Sequence, residues 1–268
     1  MRKIIVSTDY SAESENATIY AAKAAAEHKY EVVLFTLYNV SAHVLNTRFS
    51  GQTMENILNQ EKDRIAAKAC FLSDTYGITV VPYFASGSYY EEIEVCINEY
   101  HADLVVMGMP QKSIEQDLLG NTTTTAINRL MTPIVAIPLG ASYTGIRKIL
   151  FACDIMRGIH KQTFDKVRFV ASKFGAEVEI FHVSDRVEEL KAEHKDSIDD
   201  VMDGVEYYYK NVESTEIVNA IRDEVIDIKA DLLIMVPYKY GFWSSLIHKS
   251  KTRMMASGIN IPLLSIPL

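Results

Sequence analysis

At 268 residues, with 48% hydrophobic and 23% charged side chains and a formal net charge of −8, the chain has an ordinary globular make-up and room for two cores. The negative balance argues against nucleic acid, whose phosphates need clustered Lys and Arg. No apolar run approaches the ~20 residues of a membrane helix, and the short N-terminal run before Asp9 is no signal-peptide core, so the expected setting is cytoplasmic.

Taken in chain order, Ile4–Ser7 is a short β-branched run and reads as a buried strand. A helix follows from Ser14 to about Tyr30, Ala-rich and without a breaker. Val32–Val40 is the next strand, Met54–Tyr76 a long helix closed by Gly77, and Ile78–Phe84 a third strand. Ile93, Cys96, Ile97 and Tyr100 share one helix face. Strand Leu104–Met107, helix Thr122–Met131 and strand Ile134–Ile137 complete the series.

The series then repeats. Lys3-Ile-Ile-Val-Ser-Thr-Asp9 is echoed by Lys148-Ile-Leu-Phe-Ala-Cys-Asp154, Ala102-Asp-Leu-Val-Val-Met107 by Ala230-Asp-Leu-Leu-Ile-Met235, and Thr132–Leu139 by Ile261–Leu268. Three matched segments in one order are an internal duplication. Its second copy reads as strand Ile149–Cys153, a helix with the stripe Phe164, Val167, Ala171 and Phe174, and strands Val178–Val183 and Val205–Tyr209. A helix carrying Ile217, Ile221, Val225 and Ile228 follows, then strand Leu232–Val236, a last helix, and strand Leu263–Ile266.

The offset between copies is 145 at Asp9 and Asp154 but 129 at Pro133 and Pro262, so the second copy is 16 residues shorter. The loss falls between its second and third strands, where an acidic remnant runs from Val187 to about Met202. Alternating strands and helices define an α/β class, here two tandem doubly wound sheets of five parallel strands, over 1–143 and 144–268. Ligands on such sheets bind past the carboxyl ends of the strands, where the strand order reverses.

The cysteines, Cys70, Cys96 and Cys153, have no Cys-x-x-Cys or Cys/His spacing. This supports neither a metal site nor a disulfide framework; all three are expected to be buried and reduced. Seven histidines are spread out, and His160, six residues beyond Asp154, lacks the nucleophile and oxyanion device of a catalytic pair. His43, His101 and His182 likewise read as structural, and no catalytic residue is assigned.

After the first strand come Ser7, Thr8 and Asp9, then Ser11 and Ser14. Asp9 has two readings: an acceptor for a ribose or base, or part of a helix cap with the serines. After the fourth strand stand Met107, Gly108 and Gln111, then Gly120, Asn121, Thr122 and Thr123. A Gly-Asn-Thr-Thr run opening a helix offers N–H groups and hydroxyls to an anion; it is equally a Thr-rich cap.

Taken together, the strand ending in Asp9, Gly108 after strand four and the Gly120-Asn121-Thr122 helix start resemble the universal stress protein family, whose nucleotide-binding branch carries Gly-x-x-Gly-x9-Gly-[Ser/Thr] there. Both copies fit, so the resemblance is to a tandem member with an adenine nucleotide alpha-hydrolase-like fold. It implies that Asp9 contacts adenine or ribose and that Val40 meets the base. It places Met107 and Gly108 under ribose and phosphates, and Gly120, Asn121 and Thr122 at the phosphates, with ATP as the expected ligand of the first copy. It also implies final strands paired about a pseudo-twofold axis, as an internal pseudo-dimer in a monomer or within a homodimer. The chain departs from the pattern at Gln111, which replaces the second Gly, at Asn121, and by one residue in the interval to Gly120.

In the second copy Asp154 survives, but Val236 stands at the place of Gly108 and Lys249-Ser250-Lys251 at that of Gly120-Asn121-Thr122. A Val side chain intrudes where ribose would lie, so this site reads as degenerate. His248, Lys249, Lys251 and Arg253 read as a solvated helix start, with attraction of an anion as the alternative. The loop Tyr238–Trp243 is rich in aromatics and reads either as internal packing or as a protein-partner surface. The leading expectation is a non-enzymatic stress-response module. The rivals are an adenine-nucleotide hydrolase or transferase, against which stands the lack of a Walker loop in the sequence, and a ligand-free scaffold.

Overall fold

The computed structural model describes residues 2–38, 51–109, 122–154, 161–184, 198–236 and 260–267. Val40, Gln111, Gly120 and Asn121 lie outside these residues, as do His43, His160, the cationic cluster His248–Arg253 and the aromatic loop Tyr238–Trp243. So do the helix expected before the last strand and most of the acidic remnant. By compactness the chain divides into two units, Met1–Gly108 and Met109–Leu268.

The first unit runs β1 (Lys3–Ser7), α1 (Ala12–His28), β2 (Glu31–Tyr38), α2 (Gly51–Tyr76), β3 (Val80–Ser86), α3 (Tyr89–Tyr100) and β4 (Leu104–Met109, its last residue just past the division). The strands stand in the order β3-β2-β1-β4, with β1 parallel to both β2 and β4. The chain thus builds outward to β3, then crosses to the far side of β1. The order reverses between β1 and β4, and their carboxyl ends flank the crevice where this fold class holds ligands.

Ile4, Ile5, Val6, Val32, Val33, Leu34, Phe35 and Val105 are buried. The unbroken apolar runs follow from a sheet covered on both faces. Helix α2 buries Ile65, Ala69 and Leu72 and ends at Gly77, whose φ of +64° suits a residue without Cβ. Cys70 corrects the expectation of three buried cysteines: it is exposed, while Cys96 and Cys153 are buried. One residue beyond Ala69 is about 100° around the helix, enough to leave the apolar stripe.

The second unit contains α4 (Thr122–Arg129), β5 (Ile134–Pro138), β6 (Lys148–Ala152), α5 (Lys161–Phe174), β7 (Glu177–Ser184), β8 (Tyr207–Glu213), α6 (Ile217–Asp227), β9 (Leu232–Met235) and β10 (Leu263–Ser265). Its strand order is β5-β10-β9-β6-β7-β8. Strand β10 is parallel to β9 but antiparallel to β5, with Leu263 opposite Ala136 and Ser265 opposite Ile134. The last strands of the two copies therefore pair with each other.

The duplication reaches individual backbone bonds. Thr8 N–H donates to Phe35 O at 2.8 Å, and Cys153 N–H donates to Phe181 O at 3.0 Å. Asp103 N–H reaches Lys3 O at 3.0 Å, and Asp231 N–H reaches Lys148 O at 2.9 Å. The shortening also falls where expected: β2 ends at Tyr38 and β3 begins at Val80, whereas β7 ends at Ser184 and β8 begins at Tyr207. Strand β8 starts later than its apolar pattern suggests, because Gly204 at φ +79° and a bond from Val205 N–H to Met202 O at 3.1 Å form a turn there. Beneath it, Phe164, Val167 and Ala171 of α5 are buried, and Ile217, Ile221 and Val225 of α6 share one core cluster with Leu150, Phe181 and Leu233.

Candidate functional site

At the switch point of the first unit the chain leaves β1 through a turn made almost wholly of short polar side chains. Ser11 is the N-cap of α1, its hydroxyl accepting from Ser14 N–H at 3.2 Å. Asp9 Oδ1 accepts from Ser11 N–H at 3.0 Å and from Ser11 Oγ–H at 2.6 Å. Thr8 is buried; its Oγ1 lies 3.2 Å from Ser14 Oγ and accepts from Tyr10 N–H at 3.1 Å. These bonds hold Tyr10 at φ 62°, a left-handed conformation that a bulky residue adopts only under local constraint.

The Asp9 carboxylate remains exposed. Partial burial pushes its pKa up, but the hydrogen bonds from Ser11 outweigh that and hold it below the usual aspartate value. It is therefore a fixed anion at the edge of the crevice. Of the two sequence readings, the cap is seen directly. Because Asp9 acts on Ser11 while staying exposed, the acceptor reading stands beside it.

Alternation along the strands sorts the remaining predicted residues onto opposite faces. Thr8 and Gly108 face α1. Ser7 and Met107 stand opposite each other in the β1–β4 ladder and meet Tyr89 instead. The Tyr89 hydroxyl donates to Ser7 Oγ at 2.9 Å and lies 3.8 Å from Met107 Sδ; burial pushes its pKa up.

Sequence reasoning did not single out Tyr89. The signal was its place: the Gly87-Ser88 break ends β3, so the next helix must open at the carboxyl edge of the sheet.

Gly108 has a reason of its own. A Cβ placed there lies 2.5 Å from Glu13 C, 2.6 Å from Glu13 O and 2.7 Å from Ser14 N. The first turn of α1 occupies the space a side chain needs, so close helix–strand packing alone demands glycine.

Beside this turn, Tyr10, Glu15, Arg64 and Lys68 line an open cleft of about 360 Å³. The Arg64 guanidinium sits 3.6 Å from the centre of the Tyr10 ring, and Lys68 pairs with Glu15. Cationic groups from α2 thus flank the same turn that presents Asp9. Thr122 and Thr123, described with the second unit, open α4, the first exposed and the second buried.

The equivalent position in the second unit is built differently. His182 is buried, its Nδ1 lying 3.1 Å from Cys153 O and 3.9 Å from Asp154 Oδ1. Burial pushes the Cys153 thiol far above its usual pKa. Val236, in the place of Gly108, is 3% exposed. A buried apolar side chain thus stands where the first unit has glycine. Among the described residues, no group of three or more His, Cys, Asp or Glu side chains is placed to hold a metal ion, and no helix is long and apolar enough to cross a membrane.

A parallel α/β sheet whose order reverses beside a capped Asp defines the doubly wound, switch-point class. Within it, residues 1–138 match the model of the universal stress protein family, and the chain belongs to that family. No curated protein matches the sequence. Among solved structures, a universal stress protein from Archaeoglobus fulgidus DSM 4304 is 17% identical, covering 99% of this chain and 96% of its own at a TM-score of 0.78. A candidate universal stress protein from Pseudomonas aeruginosa UCBPP-PA14 is 14% identical, covering 100% and 93% at 0.60. A protein of unknown function from Pseudomonas aeruginosa PAO1 is 13% identical, covering 100% and 92% at 0.60. At such identities the likeness shows the fold.

Proposed function

We propose that this chain is a tandem, non-enzymatic stress-response module of the cytoplasm, with functional domains 1–143 and 144–268, and that only the first holds an adenine nucleotide, ATP foremost. The observation that carries this reading is Asp9: an exposed, ionised carboxylate clamped by Ser11 at the first switch point. Such a group suits ribose hydroxyls or an adenine amine, both donors to it. Arg64, set against the Tyr10 ring, and the Lys68–Glu15 pair stand beside the turn as polar groups a ligand can engage, and Gly120, Asn121, Thr122 and Thr123 complete the phosphate side in this reading. Ser7 and Met107 support from the opposite face. The second domain, with Val236 in the place of Gly108, serves as a structural partner in this reading.

The test is calorimetry with ATP on the purified chain, after checking for nucleotide released by heat denaturation. Saturable binding that weakens at least tenfold in Asp9→Ala and disappears in Gly120→Val is the expected result. Binding unchanged in both variants places the ligand elsewhere. Sustained ATP turnover lost in Asp9→Ala makes the chain a hydrolase; no binding at all makes it a scaffold, acting through a surface such as Tyr238–Trp243.

A further inference from the structure

The second unit carries charge where the first carries core. Leu150 stands opposite Glu179 in the β6–β7 ladder, as Ile5 stands opposite Val33 in β1–β2. Phe181 stands opposite Lys210, as Phe35 stands opposite Tyr83. Counting back from Ala102-Asp103 and Ala230-Asp231, Glu224 of α6 occupies the place of Cys96 in α3. Val33 and Cys96 are both 0% exposed, and Tyr83 stacks on Phe35 at 5.7 Å. The fold therefore builds this junction from apolar side chains without difficulty.

In the second unit the same three places hold two carboxylates and one ammonium. Lys210 Nζ donates to both oxygens of Glu224 at 2.6 Å, and Glu224 is 6% exposed. Lys210 is thereby committed to Glu224, while Glu179 Oε1 is buried without a hydrogen-bond partner. Glu224 is buried and Glu179 half-buried with one oxygen enclosed, and a single ammonium serves both, so ionising Glu179 is disfavoured. Around them stand Asp227 of α6, and Lys148, Glu177 and Tyr208, which line a cavity with Glu179, with Asp231 acting on Lys148. Lys148 is paired with Glu177 at 2.8 Å, so it does not offset Glu179.

We propose that Glu179, Glu224 and Lys210 form a proton-operated latch tying α6 to β7 and β8, closed while Glu179 is protonated and loosened when it ionises. Burial, helped by a hydrogen bond and repulsion from Glu224 and opposed by Lys210, pushes Glu179 up to about 7. The sign follows. A carboxyl raised in the folded state binds its proton more tightly there than in the unfolded chain. Its contribution is present below the unfolded value of about 4.3 and is lost as pH rises towards 7. The latch is thus fully closed in mild acid and loosened near neutrality, which gives the second unit a sensor the first lacks. It does not depend on nucleotide binding.

The test is hydrogen exchange of the α6 amides in the full chain at pH 5.5 and 8.5, expressed as protection factors to remove the intrinsic pH effect. Wild type is expected to lose about tenfold protection at the higher pH, the equivalent of one pKa unit of differential interaction. Glu179→Gln, which keeps the shape without the charge, is expected to show no such loss. A carbon NMR titration of Glu179 well above the ordinary carboxylate range accompanies it. Wild-type protection that does not change with pH, an equal loss in Glu179→Gln, or an ordinary Glu179 titration overturns the latch. Should Glu179→Gln fail to fold, the triple variant Glu179→Val, Lys210→Tyr, Glu224→Cys, which copies the first unit, carries the same test. PH-dependent protection persisting there also overturns it.

Discussion

The two switch points differ in what fills the same backbone. In the first, Gly108 lets the opening turn of α1 approach within a side chain's width of β4, and Asp9 is left exposed by a network of hydroxyls. In the second, the backbone bonds recur, but Val236 is buried and Asp154 has a buried histidine nearby. The difference teaches that a duplicated ladder preserves the fold by itself, whereas the polar edge at its carboxyl end depends on a few small residues that drift without loss of the sheet.

The comparison can be broken most severely at Gly108. Gly108→Val, which writes the second copy's residue into the first, is expected to cost more than ~3 kcal/mol, because the nearest neighbours of its Cβ are Glu13 and Ser14 backbone atoms that cannot rotate away. Urea unfolding measures this; a loss under ~1 kcal/mol would show that α1 shifts easily and that the close approach is incidental. The reciprocal Val236→Gly removes a buried side chain and is expected to cost about 2 kcal/mol without creating ATP binding, checked by the same unfolding curve and by calorimetry.

Smaller effects sharpen the account of the turn. Ser11→Ala removes the cap of α1 and the partner of Asp9, and is expected to cost ~1 kcal/mol and weaken any nucleotide binding in parallel. Tyr89→Phe deletes only the bond to Ser7, about 0.5–1.5 kcal/mol, and should leave binding alone because it acts on the opposite face. Equal losses of binding in both variants would erase the distinction between the faces.

The smallest effect is a pH dependence. The lowered Asp9 carboxyl adds stability that is present above the unfolded value of about 3.9 and is lost as pH falls through its lower folded value. Asp9→Asn should therefore narrow the drop in urea midpoint between pH 5 and pH 3, while a drop as steep as wild type's would assign the acid sensitivity to other groups.

Much of this was legible in the sequence because it rests on periodicity and repetition. The β-branched runs, the stripe of Ile93 and Cys96, and the Gly77 stop each follow from local chemistry that tertiary packing did not override. Cys70 misled because a helix stripe is about one residue wide and it lies beside Ala69. The close approach of α1 to Gly108 could not be read from the sequence, because the backbone of Glu13 and Ser14 reaches it through the fold and not through spacing. Tyr89 and the Glu179–Glu224–Lys210 group were missed for one reason: each depends on partners distant in sequence, brought together by strand order and not by spacing.

The antiparallel pair of β5 and β10 has a consequence for how the protein is made. Strand β5 ends the first copy in sequence, yet one of its edges, at Ile134 and Ala136, pairs with Ser265 and Leu263 of the last strand. During synthesis the first copy emerges with that edge open, and it stays open until nearly the whole second copy has followed. An unpaired apolar edge is the surface on which nascent chains pair with one another. The duplication that gave this chain its symmetry also makes its first half wait for its last strand.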